Sequence, residues 1–463
     1  MSRSVSGLKN LTESNMKKLF VSAGLVAIGA AALESAMADD NGGSSTGDVT
    51  SPKYWNVGAT LRGFYDDNYN IGNSSRGSFG VELLPTISFH EPLQQTDMGI
   101  RYTYGLYYYE DRQDIGVNPF DQTHQVDLWL DHAFNERWHA NVTDTFAVGQ
   151  EPELLNPNPV VGVAAPYRVN GDNISNHGNI ALNTEWTRLF GTSLTYDNGF
   201  YDYDNSGAFV NSSGQLVLAD GTAGPSLAGI LNRIEQSVSL DLNWHVQPET
   251  TIFVGYQFSW VNYTGNEPIA IVNNFAAPFT YYSSDRDSLT HYGFVGIEHE
   301  FTSNLSGSVR VGASYTDVYA DPLFPSTSWS PYADISLTYT YIPGSYVQFG
   351  FTHDVAATDQ VAPDASGHIT QYANDSVVYV DINHRITPKL TGTLIGRVQY
   401  STFQGGIAGN DDETDYSVGV NLSYQINQHF SLDAGYNFDD VETQIAGYAY
   451  DRNRVYLGVT ASY

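Results

Sequence analysis

The last ten residues, Arg454-Val455-Tyr456-Leu457-Gly458-Val459-Thr460-Ala461-Ser462-Tyr463, alternate strictly in character and stop on an aromatic ring. Val455, Leu457, Val459, Ala461 and Tyr463 share one face of a strand, while Arg454, Tyr456, Thr460 and Ser462 share the other, with Gly458 between them. Few architectures end a chain this way. A closed β-barrel in a membrane does, because its last strand must pair with its first to leave no backbone edge in lipid, and its final ring then sits at the interface.

Upstream, the chain repeats this theme from Trp55 onward, with apolar and polar residues alternating in segments of about ten residues. Short turns are predicted at Glu91 to Asp97, Asn135 to Arg137, Leu189 to Thr192, Gln247 to Thr250, Thr302 to Asn304, Ile342 to Ser345, Thr387 to Lys389 and Asn427 to His429. Eight hairpins plus a first and a closing strand give eighteen strands; losing the hairpin around Leu189 would give sixteen. Longer connections alternate with the short ones, among them Glu110 to Gln122, Gln150 to Asn173, Asp202 to Asn232, Asn262 to Arg286 and Ala357 to Thr370. Their Asp, Asn, Gly and Pro content marks them as extracellular loops opposite short periplasmic turns. The fold class predicted is all-β, a single antiparallel transmembrane barrel. Eighteen strands enclose more volume than side chains can fill, so the apolar face must look out to lipid and the polar face in.

The N-terminus sets the compartment. Met16-Lys17-Lys18, the apolar run Leu19 to Leu33 and Ala36-Met37-Ala38 read as a signal peptide cleaved after Ala38, so residues 1–38 are set apart from the fold. Residues 39–52 are expected to be a flexible periplasmic leader and 53–463 the barrel. Without residues 1–38, which hold Arg3, Lys9, Lys17, Lys18, Glu13 and Glu34, 16 basic residues face 49 acidic ones, a formal charge of −33. That balance excludes nucleic acid as a partner and favours cations. The absence of cysteine excludes disulfides, thiolate metal sites and a Cys nucleophile.

Charged residues on the polar register are the candidate functional set. Arg62, Arg101, Arg310, Arg397 and Arg454, with Asp127, Asp131, Asp241, Asp334, Asp381 and Asp433, are expected to line the pore. Two readings stand: a transverse field that orients solutes, or wall residues that neutralise one another. Asp pairs at strand tops (Asp66-Asp67, Asp202 with Asp204, Asp285 with Asp287, Asp411-Asp412 with Asp415, Asp439-Asp440) lack the spacing of a calcium loop and read as solvated carboxylates. His132, His299 and His384 recur near strand ends, as an interfacial band would. No Ser–His spacing singles out a nucleophile, so no catalytic residue, metal or cofactor is assigned. Gln150 to Asn173, with four prolines around Val160 to Ala165, is too apolar for a purely solvated loop and is expected either to fold into the barrel and narrow it or to pack on neighbouring loops.

The closing Val455-x-Leu457-x-Val459-x-Ala461-x-Tyr463 pattern, and the Tyr65-Asp66-Asp67-Asn68 that tops the first strand, resemble bacterial outer-membrane porins, most closely the putative beta-barrel porin type 2 group. The resemblance implies that Tyr463 is the signal read by the barrel-assembly machinery. The expectation is a porin in outer-membrane lipid, passing small hydrophilic solutes or cations by passive diffusion, with homo-oligomerisation left open. The alternative is a structural or adhesive barrel with an occluded lumen and acidic loops.

Overall fold

The computed structural model describes residues 54–71, 75–149, 171–445 and 447–463. The predicted signal peptide and leader, and nearly all of Gln150 to Asn173, lie outside the described residues. Eighteen strands form one antiparallel sheet: β1 Trp55–Asp66, β2 Ser78–Pro92, β3 Thr96–Tyr109, β4 Phe120–Asn135, β5 Trp138–Gly149, β6 Asn173–Glu185, β7 Phe190–Tyr203, β8 Arg233–Gln247, β9 Thr250–Tyr263, β10 Ser288–Thr302, β11 Leu305–Val318, β12 Ser326–Ile342, β13 Ser345–Ala356, β14 Tyr372–Thr387, β15 Leu390–Gln404, β16 Asp412–Asn427, β17 Phe430–Thr443 and β18 Tyr450–Ser462. β18 pairs with β1 from Asp66↔Arg454 to Gly58↔Ser462, which closes the ring. Past the last ladder residue, Val57 and Tyr463 exchange backbone hydrogen bonds at 2.9 and 3.2 Å. No edge is left open to lipid.

All eight short turns join strands at one end. The β6–β7 turn falls at residues 186–189, earlier than the Leu189 to Thr192 expected, because the Thr187 hydroxyl accepts the N–H of Leu189 and of Phe190 and starts β7 there. Long connections occupy the other end.

The face assignment follows from contacts that skip a strand. Arg454 on β18 reaches Glu82 on β2 at 2.9 Å, past β1. The Tyr456 hydroxyl of β18 reaches Asn421 of β16, past β17, at 3.3 Å. Side chains so separated meet only on the concave side of a curved sheet, so the polar register faces inward. Leu61, Val254, Val295, Leu457 and Tyr463 stand exposed on the convex side, where burial in lipid replaces burial in a core. Near the turns, His132 packs edge-on against Phe134 with ring centroids 4.5 Å apart, and His299 against Phe301 at 4.6 Å. His384 stacks on Tyr341 at 5.7 Å. The three histidines thus belong to the aromatic girdle.

Two glycines show how the inner wall is packed. A Cβ on Gly458 would come within 2.3 Å of the Arg62 side chain and 2.7 Å of the Leu61 carbonyl, so the gap in the closing strand is where Arg62 lies across β18. A Cβ on Gly350 would lie 2.2 Å from the Tyr379 ring of β14. There an inward aromatic covers bare backbone on its neighbour.

Candidate functional site

Each of the eleven charged residues picked out on the polar register stands on the inner face, and several are brought together in pairs. Arg62 donates to Glu82 at 3.1 Å, and Arg454 donates to the other oxygen of the same carboxylate. Arg101 grips Asp127 through Nε and Nη2 at 2.9 and 2.8 Å. Arg310 lies 3.9 Å from Asp241 and 3.8 Å from Glu298, and opposite Asp334 in register. Rings brace the guanidiniums: Arg62 over Tyr456, Arg454 over Phe64 and Arg310 over Phe253, at 4.9, 4.3 and 5.0 Å. These four arginines each lie within 4 Å of an inward carboxylate. Arg397 is inward and buried on β15, two residues below Gln399.

Several inward carboxylates, by contrast, accept from neutral donors. Asp381 takes the Tyr346 hydroxyl at 2.9 Å, Asp433 the Thr460 hydroxyl at 2.9 Å, and Asp197 the Ser237 hydroxyl at 3.1 Å. Asp131 meets the His139 ring at 2.6 Å. An excess of negative charge remains on the inner wall.

The strand-top carboxylates are more engaged than solvated loops would be. Asp66 is fully buried and paired with Arg452, whose Nε donates at 3.0 and 2.9 Å. Asp67 accepts the N–H and side-chain amide of Asn453 at 2.6 and 2.8 Å. Asp287 takes the Tyr263 N–H at 2.7 Å. Asp415, Asp439 and Asp440, grouped above with strand-top loops, fall within β16 and β17. Among the described residues, no group of three or more His, Asp or Glu is placed to hold a metal ion. One Ser–His contact stands on the outer wall, Ser376 Oγ to His353 Nδ1 at 2.8 Å.

At the extracellular end the loops build a core of their own. Tyr201 and Tyr203 of β7, Ile230 and Leu231 of the helical turn Leu227–Leu231, Ile269, Val272 and Tyr281 of the β9–β10 hairpin, and Val361 and Ile369 of the β13–β14 connection form one buried cluster. Residues 357–371 tie it together. The Tyr281 hydroxyl donates to the Gly367 carbonyl at 3.2 Å, Asn274 to Ala365 at 2.8 Å, and the Ile407 N–H to Ala362 at 3.0 Å. Gln371 donates to Asp321 at 2.9 Å. Arg286, 1% exposed, sits over the Tyr263 ring at 4.4 Å and donates to the carbonyls of Ile230 and Thr358. Val361 and Ile369 share a cluster with Tyr201 and Tyr203 of β7, and Arg286 joins Thr358 to Ile230, so the segment leaves its own strands and extends over the mouth. Burial pushes its Asp359 carboxyl up to about 6, with the Asp415 carboxylate adding to the rise and Gln360 and Arg286 opposing it.

This strap and its Arg286 latch escaped sequence reasoning. Its polar composition reads as an ordinary loop, and the surfaces that Val361 and Ile369 join come from other connections.

A family described as Putative beta-barrel porin 2 matches residues 56–463. No curated protein matches the chain. Solved structures similar to it include the siderophore receptor PiuA from Acinetobacter baumannii, at 12% identity and TM-score 0.44, with 90% of this chain and 82% of that chain covered. OccAB4 from the same organism is similar at 11% identity and TM-score 0.39, covering 90% of this chain and 100% of that one. OccK9 (OpdG) from Pseudomonas aeruginosa is similar at 10% identity and TM-score 0.42, covering 88% and 98%.

Proposed function

Because the chain belongs to the beta-barrel porin 2 family, we propose that it admits small hydrophilic solutes by passive diffusion, with a preference for cations. It is a bacterial outer-membrane barrel, and its family is one of porins. The observation that carries the reading is the charge of the inner wall. Arg62, Arg101, Arg310 and Arg454 are matched by Glu82, Asp127, Asp241 and Glu298, while Asp197, Asp381 and Asp433 have neutral hydrogen-bond donors. A negative lumen raises the local concentration of cations and lowers that of anions. No chemical step is involved: width and field do the sorting. The pore-lining role extends to Asp131, Asp334 and Arg397, which share the inner face, and Tyr463 retains its proposed role as the assembly signal.

Proteoliposomes test the diffusion. Vesicles carrying the protein should swell in isotonic pentose and progressively less in larger oligosaccharides; swelling no faster than protein-free vesicles would remove the open-pore reading. The ordered strap supports the second reading, a barrel occluded at its mouth.

A further inference from the structure

Resting on that porin reading, we infer that ions are selected at the extracellular end, by a carboxylate set made of Asp354, Asp375 and Asp415 from three strands of the wall and Asp359 from the strap. Asp354 of β13 and Asp375 of β14 are direct cross-strand partners and both face inward. Like charges held opposite each other in this way are destabilising unless a counter-charge comes between them. Asp375 is 4% exposed. Its Oδ2 accepts from Gln399 at 3.3 Å, while its Oδ1 is buried and meets no hydrogen-bond donor among the described residues. A carboxylate oxygen left in this state calls for an ion or water to complete it. Gln399 carries the set one strand further, since its own cross-strand partner is Asp415. Above it, the strap brings Asp359 close enough to feel the Asp415 charge.

The set gathers carboxylates where the strap meets the wall, with Arg286, bonded to the Thr358 carbonyl, next to Asp359. It does not form a chelating cage, so the species it suits is a hydrated, mobile cation held briefly on its way in. Inorganic monovalent ions and small organic ammonium ions share that chemistry.

The test is reversal potential in planar bilayers across a KCl gradient, using the full-length protein. The wild type should reverse on the cation side. Asp354→Asn with Asp375→Asn should at least halve the K⁺/Cl⁻ permeability ratio, and Asp359→Asn, which alters only the strap, should lower it in the same direction. Asp220→Asn, on an exposed loop hairpin, should leave it unchanged. Folding of each variant is checked by the heat-modifiable shift on gels, and Asp359→Asn keeps the proposal testable if the double variant fails to assemble. Wild-type ratios in both filter variants would overturn the proposal while leaving the pore intact. A wild type that gives no conductance would remove the porin reading, and the filter with it.

Discussion

Replacing residues 358–370 with a short Gly/Ser turn should raise single-channel conductance by about twofold or more, because access to a pore is set by its narrowest section. The strap is held from several sides: by the Arg286 guanidinium on Thr358, by Tyr281 and Asn274 on Gly367 and Ala365, and by Val361 and Ile369 in the loop core. A loop so anchored does not leave the mouth by thermal fraying alone. Arg286→Met keeps the chain length and removes two donors that hold separate connections in place, so it should raise conductance in the same direction and broaden the distribution of open levels. Unchanged conductance in both variants would mean that the strap lies beside the ion path. Conductance that appears only after deletion would favour the occluded-barrel reading.

The second large effect is expected at the seam. Asp66 on β1 and Arg452 on β18 are 0% and 1% exposed, and their ion pair joins the first strand to the last. Asp66→Asn removes a buried counter-charge from the Arg452 guanidinium, and breaking a buried pair typically costs about 3–5 kcal/mol. Denaturant unfolding of the refolded barrel, followed by the heat-modifiable gel shift, should register the loss. Replacing both residues with apolar ones, Asp66→Leu with Arg452→Met, should recover most of it, since a buried pair exchanged for hydrophobic packing is often neutral. If the double replacement is as unstable as Asp66→Asn, the cost comes from the hydrogen bonds around Asp66 and not from the lost ion pair.

The barrel was legible because its information is local. Alternation with period two, turn residues at regular intervals and aromatic rings beside the turns each report on a few neighbouring residues, and together they specify strand count, faces and closure. The one displaced turn, at residues 186–189, arose where the apolar pair Leu189-Phe190 hid the signal of Thr187. The inward arginines were legible for the same reason, because register alone decides which face they take. Their partners were only partly so. Glu82 serves both Arg62 and Arg454, from opposite ends of the sequence, and that pairing exists only once β18 has met β1.

The cap was not legible, because nothing about it is local. Residues 357–371 carry few apolar side chains, and the cluster that receives Val361 and Ile369 is assembled from strand and loop residues more than a hundred positions away as well as nearby. Asp415 and Asp439 suffered in the same way. Beside Asp411-Asp412 and Asp440 they resemble a solvated loop, yet the ladder runs past them and turns them into the lumen.

The central claim is that this barrel is a cation-preferring pore, and current through a single reconstituted molecule tests it most directly. Purified protein in a planar bilayer under a KCl gradient should give discrete conductance steps whose current reverses on the cation-selective side of zero. A reversal on the anion side, or a bilayer that stays silent with folded protein present, would contradict it.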